Sequence, residues 1–156
     1  MGTTTPLRSA LKKVLYPHAE AKGFTIDKSG QPQTTTFRRL AGETVQVFNI
    51  QWDKYGKPRF VINFGDAPAT GVQRYDKSIP ATQIEPFDCK PSLRLQRRRG
   101  GSMSCWFQLR RPLLKQLVSL SREYSPEEVV AHVLSCFPEM EQWWSSRTKG
   151  EHVHGA

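Results

Sequence analysis

Hydrophobic positions near the start of the chain recur with a helical period. Leu7, Leu11, Val14, Leu15 and His18 fall on one face, while Arg8, Lys12 and Lys13 fall off it. Thr5 is placed to cap this helix and Pro6 to open it. Gly23 can take the left-handed conformation that ends a helix, with Phe24 folding back onto the last turn. The period then changes to two. Residues 44–52 alternate, with Phe48, Ile50 and Trp52 on one side and Val47, Asn49 and Gln51 on the other. Residues 59–64 do the same, setting Phe60, Ile62 and Phe64 against Val61 and Asn63. Residues 34–40 carry the β-branched and aromatic content of a further strand.

A one-residue slip would move an apolar set into water, so the two alternating segments admit one register. It pairs Trp52 with Phe60, Ile50 with Ile62 and Phe48 with Phe64 around a loop at Tyr55, Gly56 and Lys57. Asn49 then stands opposite Asn63, where two amides can hydrogen-bond. A second hairpin is expected further on. Leu93 and Leu95 alternate with Arg94 and Gln96, and Cys105, Phe107 and Leu109 with Trp106 and Gln108. A turn at Gly100, Gly101 and Ser102 would set Leu95 beside Phe107 and Arg94 beside Gln108.

The C-terminal third reads as helical. Pro112 opens a segment carrying Leu113, Leu114, Leu117 and Val118. Ser125-Pro126-Glu127-Glu128 is a capping box ahead of the stripe Val129, Val130, Val133, Leu134 and Phe137. Pro138 is expected to end that helix, leaving a last short one with Met140, Trp143 and Trp144. Residues 66–91 are rich in proline and short polar residues and predict a long excursion. The fold class is therefore α+β. It has an N-terminal helix, a twisted antiparallel sheet of about five strands, and two to three C-terminal helices on one sheet face. Residues 1–156 form a single domain, with an ordered core over about 5–147 and a flexible tail at 148–156.

Composition narrows the class without choosing a task. The chain is 37% hydrophobic and 24% charged, which suits a folded domain rather than a disordered one. No apolar run approaches the roughly 20 residues that span a bilayer, and the first residues lack the apolar centre of a secretory signal. Met1-Gly2 and the threonines after it match a myristoylation signal poorly. The protein is read as cytoplasmic, without a membrane partner. The three cysteines, Cys89, Cys105 and Cys136, are odd in number and widely spaced. That argues against a disulfide framework or a zinc knuckle and for buried thiols. His152 and His154 form an H-x-H pair in the tail, read as an incidental metal binder. No cofactor or metal site is expected. The net charge of +9 favours an acidic partner.

Several short features stand in a fixed order. A leading helix ends at Gly23-Phe24, Phe37-Arg38 follows, and Gln51 closes a strand. F-x-x-N-x-G comes next at Phe60, Asn63 and Gly65, then Cys89, Arg94 and a tryptophan strand at Trp106. This order resembles the bacterial family catalogued as domain of unknown function 4304, over residues 7–145. The basic run Arg97-Arg98-Arg99 is not part of that pattern. The resemblance implies a compact α+β domain and carries no catalytic residues with it.

The chain has no G-x-S-x-G elbow, phosphate-binding glycine loop or H-E-x-x-H motif. Asp88-Cys89 makes a poor nucleophile, because an acidic neighbour raises a thiol's pKa. In the expected register Arg94, Arg98, Trp106, Gln108 and Arg110 share a polar face, which Asn49, Gln51 and Asn63 join if both hairpins belong to one sheet, and Arg97, Arg98 and Arg99 concentrate guanidinium groups at the turn. Arginine forks suit carboxylate and phosphate. Three functions fit such a face: a non-catalytic protein-interaction domain anchored by tryptophan and arginine, a nucleic-acid surface that stacks bases, or an enzyme with an unrecognised site. A solvated face over which arginines snorkel accounts for the same residues. A protein partner is the expectation, with nucleic acid the alternative.

Overall fold

Thr5–Ala21 form helix α1 because Leu7, Leu11 and Leu15 bury one stripe of it against the sheet. Val14 stays 40% exposed, and Ala10 and Ala19 complete the buried face. The cap falls one residue earlier than expected. Thr4 is the N-cap, and its hydroxyl accepts a bond from Arg8 Nε (3.2 Å) instead of capping a backbone amide. The other end closes as a Schellman turn. Gly23 sits at φ 92°, its amide donates to Glu20 O (2.9 Å), and the Phe24 amide donates to Ala19 O (3.1 Å). The His18 ring meets Phe137 edge to face at 4.9 Å, a packing role.

The computed structural model describes residues 3–28 and 31–155. Met1 and Gly2, on which the myristoylation reading rests, lie outside the described residues. After α1 come strands β1 (Thr25–Asp27), β2 (Thr34–Ala41), β3 (Thr44–Trp52), β4 (Arg59–Pro68), β5 (Val72–Arg74), β6 (Lys77–Ile79), β7 (Leu93–Leu95) and β8 (Phe107–Gln108). Helices α2 (Leu113–Val118) and α3 (Pro126–Ser146) and strand β9 (Val153–His154) complete the chain. The sheet runs β1-β2-β3-β4-β7-β9, with β8 also paired to β4 and every pairing antiparallel.

The first hairpin has the expected register, including Asn49 opposite Asn63. The second hairpin does not form. Strands β7 and β8 lie end to end along β4, with Leu95 opposite Ile62 and Phe107 opposite Phe60. Leu93, Leu95, Phe107 and Leu109 are buried as their spacing predicts, although Trp106 and Gln108 between them are buried too. Those apolar positions specify a buried face, and the edge of β4 satisfies it for both segments at once. Residues 96–106 loop out between them. With no hairpin partner beside it, β7 offers its other edge to β9. Val153 is 1% exposed there, so the tail expected to be flexible is instead a strand packed into the core.

Helices α1 and α3 cover the face that carries Phe48, Ile50, Trp52, Phe60, Ile62, Phe64, Leu93, Leu95 and Phe107. The capping box of α3 is present: Ser125 Oγ accepts from the Glu128 amide (3.1 Å), and Glu128 Oε2 accepts from the Ser125 amide (2.9 Å). Pro138 does not end this helix. It lies on the solvent side, while Phe137, Met140, Trp143 and Trp144 bury the opposite side, so tertiary packing carries the helix past one missing backbone bond. The side chains of Leu113, Leu114, Leu117 and Val118 on α2 are exposed and add nothing to the core. No described helix is long and apolar enough to cross a membrane.

The excursion after β4 folds back over the other sheet face. It contains the β5–β6 hairpin and two single-turn 3-10 segments, at 81–83 and 86–88. Ile79, Ile84 and Cys89 pack on Val45, Val47 and Ala67 in a second, smaller core. Gly65 makes this approach possible, since a Cβ there would stand 2.6 Å from Cys89 Cβ.

Candidate binding cleft on the polar sheet face

Side chains alternate along a strand, so the residues between the core positions all project away from the helices. Cross-strand pairing sets four of them in one row: Thr36 opposite Asn49, Asn49 opposite Asn63, and Asn63 opposite Arg94. Gln51 lies two residues along β3, opposite Thr34. The excursion covers only the apolar end of this face. The polar end remains a cleft of about 770 Å³, floored by the sheet residues and walled by Glu85, Pro86 and Phe87.

Arg38 fastens the wall. Its guanidinium donates to Ile84 O (2.6 Å), Asp27 Oδ2 (2.7 Å) and Glu85 Oε1 (3.0 Å). Thr36 Oγ1 donates to the other oxygen of Glu85 (2.8 Å). Asp88 holds the 86–88 turn from behind by accepting from the Glu85 amide (2.9 Å) and from Arg74 Nε (2.8 Å). Burial alone would raise the Asp88 pKa, but Arg74 and that amide outweigh it and hold the carboxyl below its ordinary value. Its contribution to stability is therefore present above the ordinary carboxylate range and is lost as pH falls through the depressed value. Arg74 also lies 4.6 Å over the Phe87 ring, whose outer surface is 67% exposed at the cleft rim.

The floor is less fully used. Asn63 Nδ2 donates to Asn49 Oδ1 (2.9 Å) and Gln51 Oε1 (2.8 Å). That leaves Asn49 Nδ2, Gln51 Nε2 and Asn63 Oδ1 without partners among the described residues. The half-buried Arg94 guanidinium likewise has no hydrogen-bond or ion-pair partner among them. The cleft thus offers amide donors, one amide acceptor and a guanidinium fork, the groups that match a carboxylate and a peptide backbone.

The family described as a domain of unknown function (DUF4304) matches residues 16–134. The chain belongs to that family. No curated protein and no solved structure matches it. Of the residues on which the DUF4304 resemblance rests, Arg38, Gln51, Asn63 and Arg94 line the cleft, and Gly65 and Cys89 seat the segment that walls it.

The remaining expected surface residues of this DUF4304 domain lie elsewhere. Trp106 is only 5% exposed, so it cannot anchor an open face. The 3-10 turn at 103–105 tucks the indole inward, and regular alternation resumes only at β8. Gln108 is also buried, with Nε2 donating to the carbonyls of Met103, Ser104 and Trp106 (each 3.2 Å). Arg97 donates to Ser104 O (2.6 Å) and Arg110 O (2.8 Å). Arg98 donates to Ser104 Oγ (3.2 Å), and Arg99 to Gly150 O (2.8 Å). None of these residues lines the cleft.

Cys89 is buried beneath the wall. Burial, reinforced by Asp66, Asp88 and Glu85, pushes its thiol up to about 12, so it remains protonated at neutral pH and is a poor nucleophile. Sequence reasoning missed Glu85 and Phe87, which sit in a segment with no periodicity. It also missed a spatial group, His132, Cys136 and His152, whose possible ligand atoms lie within 4.8 Å of one another.

Proposed function

We propose that this DUF4304 domain is a non-catalytic binding domain whose cleft receives a carboxylate-bearing segment of a partner protein. The observation that carries this reading is the unpartnered Arg94 guanidinium, aligned in one cross-strand row with Asn63 and Asn49. A guanidinium fork takes a carboxylate in two parallel bonds, and free amide groups match the donors and acceptors of a peptide main chain. Phe87 supplies an exposed aromatic surface at the rim, of the kind that anchors protein interfaces. Asp27 and Glu85 on the opposite side oppose a dianionic phosphate and favour a singly charged group. The nucleic-acid alternative keeps the support of the net charge of +9. Trp106, the aromatic expected to stack bases there, is buried, and the Tyr124 ring near Arg97 and Arg98 is already covered by the Arg111 guanidinium at 4.8 Å.

Isotope-labelled protein titrated with an acetylated tripeptide ending in a free glutamate tests the reading. The side-chain amide signals of Asn49, Gln51 and Asn63 should move with it, and should not move with the same peptide amidated at every carboxyl. Arg94→Ala should weaken binding about 10–100-fold, the range of a hydrogen bond to a charged group. No response at millimolar peptide, or an unchanged response in Arg94→Ala, overturns the proposal. Retardation of short single-stranded DNA that disappears on changing Arg97, Arg98 and Arg99 to Ala would replace it with the nucleic-acid reading.

A further inference from the structure

Away from the cleft, α3 and the C-terminal strand bring together a group that neither element holds alone. His132 and Cys136 are four residues apart on α3, a spacing that places both side chains on one face of the helix. The pairing of β9 with β7 carries His152 to the same place. The His152 carbonyl accepts from the Gln96 amide (3.0 Å), and its ring meets that of His132 edge to face at 5.3 Å. Cys136 is 1% exposed, while both histidines are partly exposed, so the group has a buried side and an open side.

A second feature points the same way. Glu139, three residues beyond Cys136, accepts twice from His152: Oε1 from the backbone amide (2.8 Å) and Oε2 from ring Nδ1 (2.6 Å). A carboxylate behind a histidine fixes the ring and its tautomer and leaves Nε2 as the atom free to ligate, the arrangement found behind metal-bound histidines. The chain makes room for it at Gly150, where a Cβ would stand 2.0 Å from Glu139 Oε1.

We propose that His132, Cys136 and His152 form a zinc site, with Glu139 orienting His152 and the fourth position open to water. One sulfur and two imidazole nitrogens make a borderline-soft donor set that suits Zn²⁺ and not an oxygen-seeking cation. Metal–ligand distances of about 2.0–2.3 Å require the three atoms to draw together by roughly 1 Å, within the reach of side-chain rotation. Binding releases the Cys136 thiol proton to solvent as the Zn–S bond forms. The ion would tie the C-terminal strand to α3. The earlier expectation concerned the H-x-H pair alone, but the site uses His152 without His154 and finds its other ligands on a helix. The inference does not rest on the cleft.

The protein, stripped with a chelator, can be titrated with Co²⁺ and then Zn²⁺. One Co²⁺ per chain should bind with tetrahedral visible bands and a thiolate-to-cobalt charge-transfer band, and one equivalent of Zn²⁺ should displace it. Cys136→Ser should abolish the charge-transfer band. Glu139→Gln should keep it but weaken affinity about 10–100-fold. His154→Ala should change neither. If Cys136→Ser fails to fold by circular dichroism, loss of stoichiometric binding in His152→Ala takes its place. Absence of the charge-transfer band in the native chain overturns the site. So does its survival in Cys136→Ser, or a loss of binding in His154→Ala equal to that in His152→Ala, which would mark adventitious binding by the tail pair.

Discussion

Arg94 and Arg97 stand three residues apart and do opposite things. Arg94 lies on β7, where the ladders to β4 and β9 satisfy the backbone and leave its guanidinium without a partner among the described residues. Arg97 lies just past the strand, where the loop carbonyls of Ser104 and Arg110 have no ladder, and its guanidinium supplies their donors. Carbonyls outside a ladder take their donors from side chains or water wherever regular pairing stops. The basic loop is thus largely occupied with holding its own shape, and the cleft keeps a cation available for a ligand. A run of arginines shows where charge is concentrated; only the accounting of carbonyls shows which charge is free.

That contrast can be broken or sharpened by substitution. Trp106→Ala should have the largest effect on stability, a loss of about 3–5 kcal/mol in denaturant unfolding, because a buried indole is removed from the base of the loop. Near-native stability with lost peptide binding would return Trp106 to a surface role. Gly65→Ala comes next. Its Cβ would stand 2.6 Å from Cys89 Cβ and 3.0 Å from the Pro91 carbonyl oxygen. Overpacking of this kind costs about 1–3 kcal/mol, and displacement of the wall should weaken peptide binding as well. Unfolding and titration of the same variant check both parts.

Arg97→Ala should cost about 0.5–1.5 kcal/mol, since water can replace part of what the guanidinium does for exposed carbonyls. Its peptide affinity should match that of the native chain. Arg94→Ala should have the smallest effect on stability, within about 0.5 kcal/mol, and the largest on binding. If thermal unfolding showed Arg94→Ala to be the more damaging of the two arginine changes, the assignment of roles would be reversed.

Much of the cleft floor was legible along the chain. Asn49, Gln51, Asn63 and Arg94 share a face because each lies between core positions on its strand, and the apolar sets of β3 and β4 admit one alignment. Arg38 was visible only as part of a resemblance. Glu85 and Phe87 were not visible, because their segment has no period and its position depends on Ile79, Ile84 and Cys89 finding the apolar end of the sheet. Trp106 and Gln108 misled, because a local alternation was extended through residues that form a 3-10 turn.

The sequence by itself determined the α+β class, the C-terminal end of α1, the start of α3, the β3–β4 register and the division of β3 and β4 into an apolar and a polar side. These follow from local periodicity and capping, which act over a few residues. The tertiary structure decided which strand takes the edge of β4, how the 66–91 segment folds back, and where the C-terminal residues lie. Those choices are competitions between distant segments for the same edge or the same apolar surface. β7 and β8 share β4, Val153 fills the place beside Leu95, and His152 is carried to Cys136 as a consequence. No spacing along the chain encodes such an outcome, because it depends on which burial is most favourable once all the elements are present.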